Sequence, residues 1–108
     1  MDNPLTVSAE QAQALITSEA VTILDARDAR SYRAGHIAGA VLLHDGLEQF
    51  LVEQAEFDKP ILVYCYRGVE SMKKATRLLS LGFQRVYSLE NGFTGWPRDG
   101  AGATYPAK

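Results

Sequence analysis

The stretch Ile61-Leu62-Val63-Tyr64-Cys65-Tyr66-Arg67-Gly68-Val69-Glu70-Ser71 decides how this chain is read. Its first four residues are apolar without a break, the mark of a strand covered on both faces. Shortly after, the spacing predicts a helix over 71–81, with Ala75, Leu78 and Leu79 on one face and Gly82 as its stop. Between strand and helix lies a short loop that begins with the single cysteine, Cys65. Strand, glycine-bearing loop and helix make an anion cradle. Successive backbone N–H groups converge on one point, and the helix N-terminus adds partial positive charge. Gly68 supplies a backbone conformation that a side chain resists.

Working outward, strand and helix signals alternate to both ends. Leu5-Thr6-Val7 reads as a strand, and Ser8-x-x-Gln11 as a capping box opening a helix with Ala12, Leu15 and Ile16 on one face. Val21-Thr22-Ile23-Leu24 is the next strand, ending at Asp25. A short helix over 30–34 stops at Gly35, read as a left-handed cap. Val41-Leu42-Leu43 forms a strand, His44 a surface or helix-start position, and Leu47, Phe50 and Leu51 the apolar face of the following helix. Val86-Tyr87-Ser88-Leu89 is the last strand, followed by Asn91-Gly92 and a short helical turn near Trp96. Short strands separated by helices predict an α/β domain, a parallel sheet with helices on both faces. In open sheets of this kind ligands bind beyond the carboxyl ends of the strands, which is where Cys65 falls.

Composition sets the outer bounds. A chain of 108 residues is one domain, with its core over about 5–97 and a loose Gly-, Ala- and Pro-rich tail over 98–108. Apolar residues make up 46% and charged residues 22%, the balance of a globular protein and not of a disordered one. A chain of this size buries about two-thirds of its unfolded surface, enough for a core without disulfide or metal. No apolar run approaches the roughly 20 residues of a membrane span, and Met1-Asp2-Asn3-Pro4 does not open a secretory signal, so the cytoplasm is expected. One cysteine excludes an internal disulfide, and with only His36 and His44 beside it no metal is expected. A net charge of −2 gives no reason to expect nucleic acid or a membrane surface as partner. The charge is unevenly spread: residues 1–59 carry a net −6 and residues 60–108 a net +4, with Cys65 in the positive half.

An isolated cysteine, with a pKa of about 8.5, is only a few per cent thiolate at pH 7. Lowering that pKa by about two units takes about 2.7 kcal/mol of preferential stabilisation, within reach of several amides and a helix terminus. Cys65 then reads as a nucleophile, with the amides of residues 66–71 as its cradle. The other reading, a small buried apolar cysteine with no chemistry, stays open on the loop alone.

Three ordered motifs carry a resemblance that closes much of this gap. Leu24-Asp25-Ala26-Arg27, with Tyr32 and Gly35-His36-Ile37-Ala38-Gly39-Ala40, is similar to the N-terminal signature of the rhodanese family. Val63-Tyr64-Cys65-Tyr66-Arg67-Gly68 resembles its active loop. Gly82-Phe83, the stretch from Val86 to Phe93, and Trp96 resemble its C-terminal signature. The chain looks most like the single-domain thiosulfate sulfurtransferases of the GlpE kind, over about residues 5–97. That resemblance implies a rhodanese-like α/β/α domain with a five-stranded parallel sheet. It also implies a ping-pong transfer in which Cys65 takes the outer sulfur of thiosulfate as a persulfide and passes it to cyanide or a thiol. The thiol acceptors it implies include thioredoxin or another sulfur-relay protein. No cofactor is implied beyond the persulfide on Cys65. Alternatives are a carrier loaded by a protein persulfide, and a binding or redox-sensing module. A Cys-based phosphatase or arsenate reductase would place arginine after five residues, where this chain has Ser71.

The substrate-binding loop is thus Tyr66, Arg67, Gly68, Val69, Glu70 and Ser71, with Arg67 the side chain for an anionic donor and Tyr66 at the rim. Ser71 is expected to cap the helix or to donate its hydroxyl to the persulfide. Glu70 departs from the family pattern, in which that position is commonly basic or a small hydroxyl residue. At about 6 Å and an effective dielectric of about 20 it would repel each unit of anionic charge by about 2.8 kcal/mol. Exposure to solvent reduces that severalfold. In the family an Asp-x-Arg pair such as Asp25 and Arg27 buttresses the loop. His36 reads as a structural histidine, and Phe93 and Trp96 as a cover for the domain's end, with Trp96 at the pocket mouth.

Overall fold

A computed structural model describes residues 4–97 and 103–104. In chain order it contains β1 (Leu5–Val7), α1 (Ala9–Ser18), β2 (Thr22–Asp25), α2 (Ala29–Ala34), β3 (His36–Ile37), β4 (Val41–Leu42), α3 (Asp45–Gln54), β5 (Ile61–Tyr64), α4 (Val69–Ser80), β6 (Val86–Leu89), a 3₁₀ turn (Gly92–Gly95) and β7 (Ala103–Thr104). The five expected strands form one sheet in the order β1-β6-β5-β2-β4, all parallel. β5 is the central strand, and all four of its residues are buried.

Alternation along β5 divides the core. Leu62 and Tyr64 join Ala12, Ile23, Leu89, Phe93 and Trp96 on the face covered by α1 and the 3₁₀ turn. Ile61 and Val63 join Leu24, Val86, Ala75 and Leu78 on the face covered by α3 and α4. The result is the expected three-layer α/β/α domain with a five-stranded parallel sheet. Parallel direction sets the carboxyl ends of β2, β5 and β6 side by side, so the segments beginning at Ala26, Cys65 and Glu90 meet at one edge.

Several local readings change. The Ser8–Gln11 capping box forms as expected, and His44 is the N-cap of α3, its Nδ1 accepting from Leu47 N at 3.2 Å. Phe50 is exposed instead of buried. α3 is rotated so that Leu47, Leu51 and Val52 face the core, and Glu48 meets Arg77 of α4 in a bidentate pair. Gly35 ends α2 without a left-handed turn: at φ 164° it is extended and leads directly into β3. β3 pairs antiparallel with β7 at His36↔Thr104 and Ile37↔Ala103, a ladder within the expected loose tail. The remainder of that tail, 98–102 and 105–108, lies outside the described residues.

The largest shift concerns α4, which starts at Val69 and not at Ser71. Gly68 is its N-cap in the left-handed region at φ 97° and offers no side chain to cap it. Ser71 therefore sits in the first turn and does not cap the helix. The missing cap is supplied by the cysteine.

Candidate active site

Cys65 follows β5 directly and is 5% exposed. Its Sγ accepts from Gly68 N and Ser71 N, both at 3.2 Å. Those are the orphan donors that a side-chain cap would otherwise satisfy, so the sulfur itself closes the N-terminus of α4. Ser71 Oγ stands 3.4 Å from Sγ and 2.8 Å from Ser88 Oγ. Burial pushes the thiol pKa up, but the Ser71 hydroxyl and the amides of Ser71, Gly68 and Arg67 outweigh it and hold it below the ordinary thiol value. The balance favours the deprotonated sulfur more than in a free thiol.

Amides turn inward only if the loop's carbonyls are satisfied outside. Phe93 N donates to Cys65 O at 2.8 Å, and Thr94 N donates to Tyr66 O at 3.1 Å. The 3₁₀ turn thus grips the loop from behind. The approach is so close that a Cβ on Gly92 would stand 2.3 Å from Cys65 O. Gly68 is similarly hemmed in, its added Cβ 3.3 Å from Leu89 O.

Asp25 and Arg27 sit at the end of β2 as a buried ion pair, Arg27 Nη2 to Asp25 Oδ2 at 2.7 Å, with side chains 3% and 0% exposed. Arg27 also donates to Gly35 O at 2.6 Å, and its guanidinium lies 4.3 Å from the Phe93 ring centroid. Tyr64 donates to Asp25 Oδ2 at 2.7 Å and accepts from Ile37 N at 3.1 Å. Burial disfavours the guanidinium charge, but the hydrogen bonds and charge of Asp25 prevail and raise the Arg27 pKa. This network ties β2, β3, β5 and the 3₁₀ turn together beneath the loop. A buried pair left with one partner costs about 3–5 kcal/mol, so the two residues stand or fall together.

A cavity of about 290 Å³ opens over Cys65, lined by Ala26, Arg27, Asp28, Tyr66, Arg67, Val69 and Glu70. Arg67 is exposed on its wall and forms no ion pair among the described residues. Glu70 is exposed too and pairs with Lys73 at 3.5 Å, not with Arg67. Tyr66 and Val69 are exposed apolar residues at the mouth, 51% and 67% accessible, and the Tyr66 hydroxyl accepts from Ser31 Oγ at 3.4 Å. All six loop residues therefore surround the sulfur or its cavity, Gly68 and Ser71 from below. His36 stacks on Tyr32 at 3.9 Å and bonds Tyr32 O through Nδ1. Trp96 is buried in the α1-side core and is not among the cavity's lining residues, which corrects its placement at the mouth. Among the described residues no group of three or more His, Cys, Asp or Glu could hold a metal.

Three contributors escape a reading of the loop alone: Ser88, the Gly92–Thr94 backbone and Tyr64. Ser88 carries a faint signal, a hydroxyl inside an otherwise apolar strand. Gly92 reads only as turn punctuation, because its close approach is made to a segment distant in sequence.

A domain with this sheet order, and a cysteine after its central strand whose sulfur takes the amides of Gly68 and Ser71, belongs to a defined class. The rhodanese-like domain profile matches residues 8–99, and the chain belongs to that family. Among its relatives, the thiosulfate sulfurtransferase GlpE of Pseudoalteromonas translucida is 43% identical over 91 residues, 83% of this chain and 86% of that one. The protein of the same name from Vibrio cholerae is 39% identical over 99 residues, 91% and 92% of the two chains. Among solved structures, the rhodanese-like domain of an Anabaena protein superposes with a TM-score of 0.71 at 30% identity, covering 98% of this chain and 81% of that one.

Proposed function

We propose that the protein is a thiosulfate sulfurtransferase that works through a persulfide on Cys65. The observation that carries this is the Cys65 sulfur, held by the amides of Gly68 and Ser71 at the floor of an open cavity. The curated relatives covering most of the chain carry that activity in their names. The Sγ thiolate attacks the outer sulfur of thiosulfate, the sulfur–sulfur bond breaks, and sulfite leaves with the bonding pair. Cyanide or a thiolate then attacks the outer sulfur of the persulfide and restores the Cys65 thiolate. Negative charge on the Cys65 thiolate, before the attack and again when the acceptor has taken the sulfur, falls on an Sγ that the Gly68 and Ser71 amides already face. Arg67 meets the anionic donor at the wall. Asp25 and Arg27 act beneath the loop by holding it. The chemistry needs no metal or bound cofactor, and it needs a reduced cysteine, which favours the cytoplasm. No described helix is long and apolar enough to cross a membrane.

The physiological acceptor is a thiol, small or borne by thioredoxin or another relay protein. Exposed Tyr66 and Val69 beside a cavity larger than a small oxyanion needs favour a second reading, a carrier loaded by a protein persulfide. Steady-state release of thiocyanate from thiosulfate and cyanide separates the two. Catalytic turnover, abolished by Cys65→Ser in a folded protein, is expected of the enzyme. Absent turnover with a reactive Cys65 would move the assignment to the carrier.

A further inference from the structure

Ser88 is 1% exposed and lies in a strand otherwise built of apolar and aromatic residues, Val86-Tyr87-Ser88-Leu89. Alternation puts it on the same face as Val86, the face against which α4 packs. Its neighbours in register are Thr6 of β1 and Val63 of β5. A valine would fill such a place at no polar cost, whereas a buried hydroxyl needs a partner. That partner is Ser71 Oγ at 2.8 Å, itself buried and 3.4 Å from Cys65 Sγ.

We propose that Ser88 is a positioning residue for the reacting sulfur: its hydrogen bond turns the Ser71 hydroxyl onto Cys65 Sγ and thereby favours the thiolate. Proton counting gives the direction. With a thiolate, Ser88 donates to Ser71, Ser71 donates to Sγ, and both hydroxyl protons have acceptors. With a thiol, the S–H either turns to the open cavity and leaves the sulfur a weak acceptor, or donates to Ser71 and turns the Ser71 proton to Ser88; either way the link to sulfur is weaker than the one made to a thiolate. A chain of buried hydrogen bonds ending on an anion strengthens each of its links. The thiol's own proton leaves through the open cavity to water. Fixed charges share this surrounding: Arg27 and Asp28 from the β2–α2 segment, and Arg67 and Glu70 from the loop and α4, line the same cavity. Glu90, Lys73 and Lys74 are exposed nearby in sequence, and Tyr87 packs on the opposite face of β6. None of these is altered by truncating Ser88.

This inference rests on Cys65 as the reacting thiolate, but its test needs no sulfur transfer. The test is the pH dependence of Cys65 alkylation by iodoacetamide, read by intact mass, in the parent, Ser88→Ala, Ser71→Ala and the double variant. Ser88→Ala is expected to raise the midpoint by about half to one unit, a three- to tenfold slower reaction below both midpoints. In the Ser71→Ala background the same change is expected to do nothing further, because Ser88 acts only through Ser71. If Ser88→Ala does not fold, Ser88→Thr against its isostere Ser88→Val makes the same comparison. An unmoved midpoint, or effects of the two substitutions that simply add, would overturn the inference. A protein that takes no sulfur from thiosulfate yet shows the shifted midpoint keeps the inference and loses only the donor.

Discussion

Substituting Gly92 by alanine perturbs the loop through its backbone and leaves every reacting side chain in place. The added Cβ would stand 2.3 Å from Cys65 O and 2.5 Å from Tyr66 O, both well inside the 3.0 Å limit that real contacts respect. Both neighbours are backbone and cannot swing aside, so turn and loop must separate. Separation breaks Phe93 N to Cys65 O and Thr94 N to Tyr66 O. A buried carbonyl left unpaired costs about 1–3 kcal/mol, and the more exposed bond about 0.5–1.5 kcal/mol. The left-handed backbone at φ 54° adds about 1 kcal/mol for any residue with a Cβ. Gly39 is the internal control: its φ is 87°, but nothing lies within 4 Å of an added Cβ, so Gly39→Ala is expected to cost only that last 1 kcal/mol or so. Urea unfolding of both variants, with Cys65 alkylation across pH, reads the difference. Gly92→Ala is expected to lose about 2–4 kcal/mol more than Gly39→Ala and to alkylate more slowly near neutrality. Equal stabilities with an unchanged alkylation profile would refute the view that the turn shapes the loop.

Asp25→Asn keeps the shape of the buried network but leaves the Arg27 guanidinium without its counter-charge. A loss of about 3 kcal/mol or more in urea unfolding is expected, and a loss under about 1 kcal/mol would show that the pair is dispensable. Glu70 is exposed and already paired with Lys73, so Glu70→Gln is expected to lower KM for thiosulfate by less than about fivefold. A larger gain would mean that the carboxylate faces the donor. The hydrogen bonds to Sγ favour the deprotonated sulfur, so alkylation of the parent should reach half its plateau below the ordinary thiol value of about 8.5. Its rate should fall as pH drops through that lowered midpoint, and a midpoint at or above the ordinary value would contradict the geometry.

Much of this arrangement was legible in the sequence, for identifiable reasons. Buried parallel strands are continuous apolar runs, and Ile61–Tyr64 and Val86–Leu89 were readable to the residue. The cysteine's place at a strand's carboxyl end follows from that reading, and the loop amides follow from the cysteine. Rotation of α3 was not legible, because Phe50 and Val52 are equally apolar and only the Glu48–Arg77 contact distinguishes the faces. The start of α4 was misplaced because its cap is a sulfur and a left-handed glycine, which no sequence rule for side-chain caps anticipates. The Gly92 approach and the Ser71–Ser88 bond join segments far apart in sequence, so only the closed sheet brings them together.

The central claim is that Cys65 carries sulfur, and intact mass tests it directly. After incubation with thiosulfate the protein should gain one sulfur atom, absent in Cys65→Ser, and lose it on addition of cyanide with release of thiocyanate. An unchanged mass in a folded protein whose Cys65 still alkylates readily would contradict thiosulfate as the donor, and sulfur retained in the presence of cyanide would contradict the transfer.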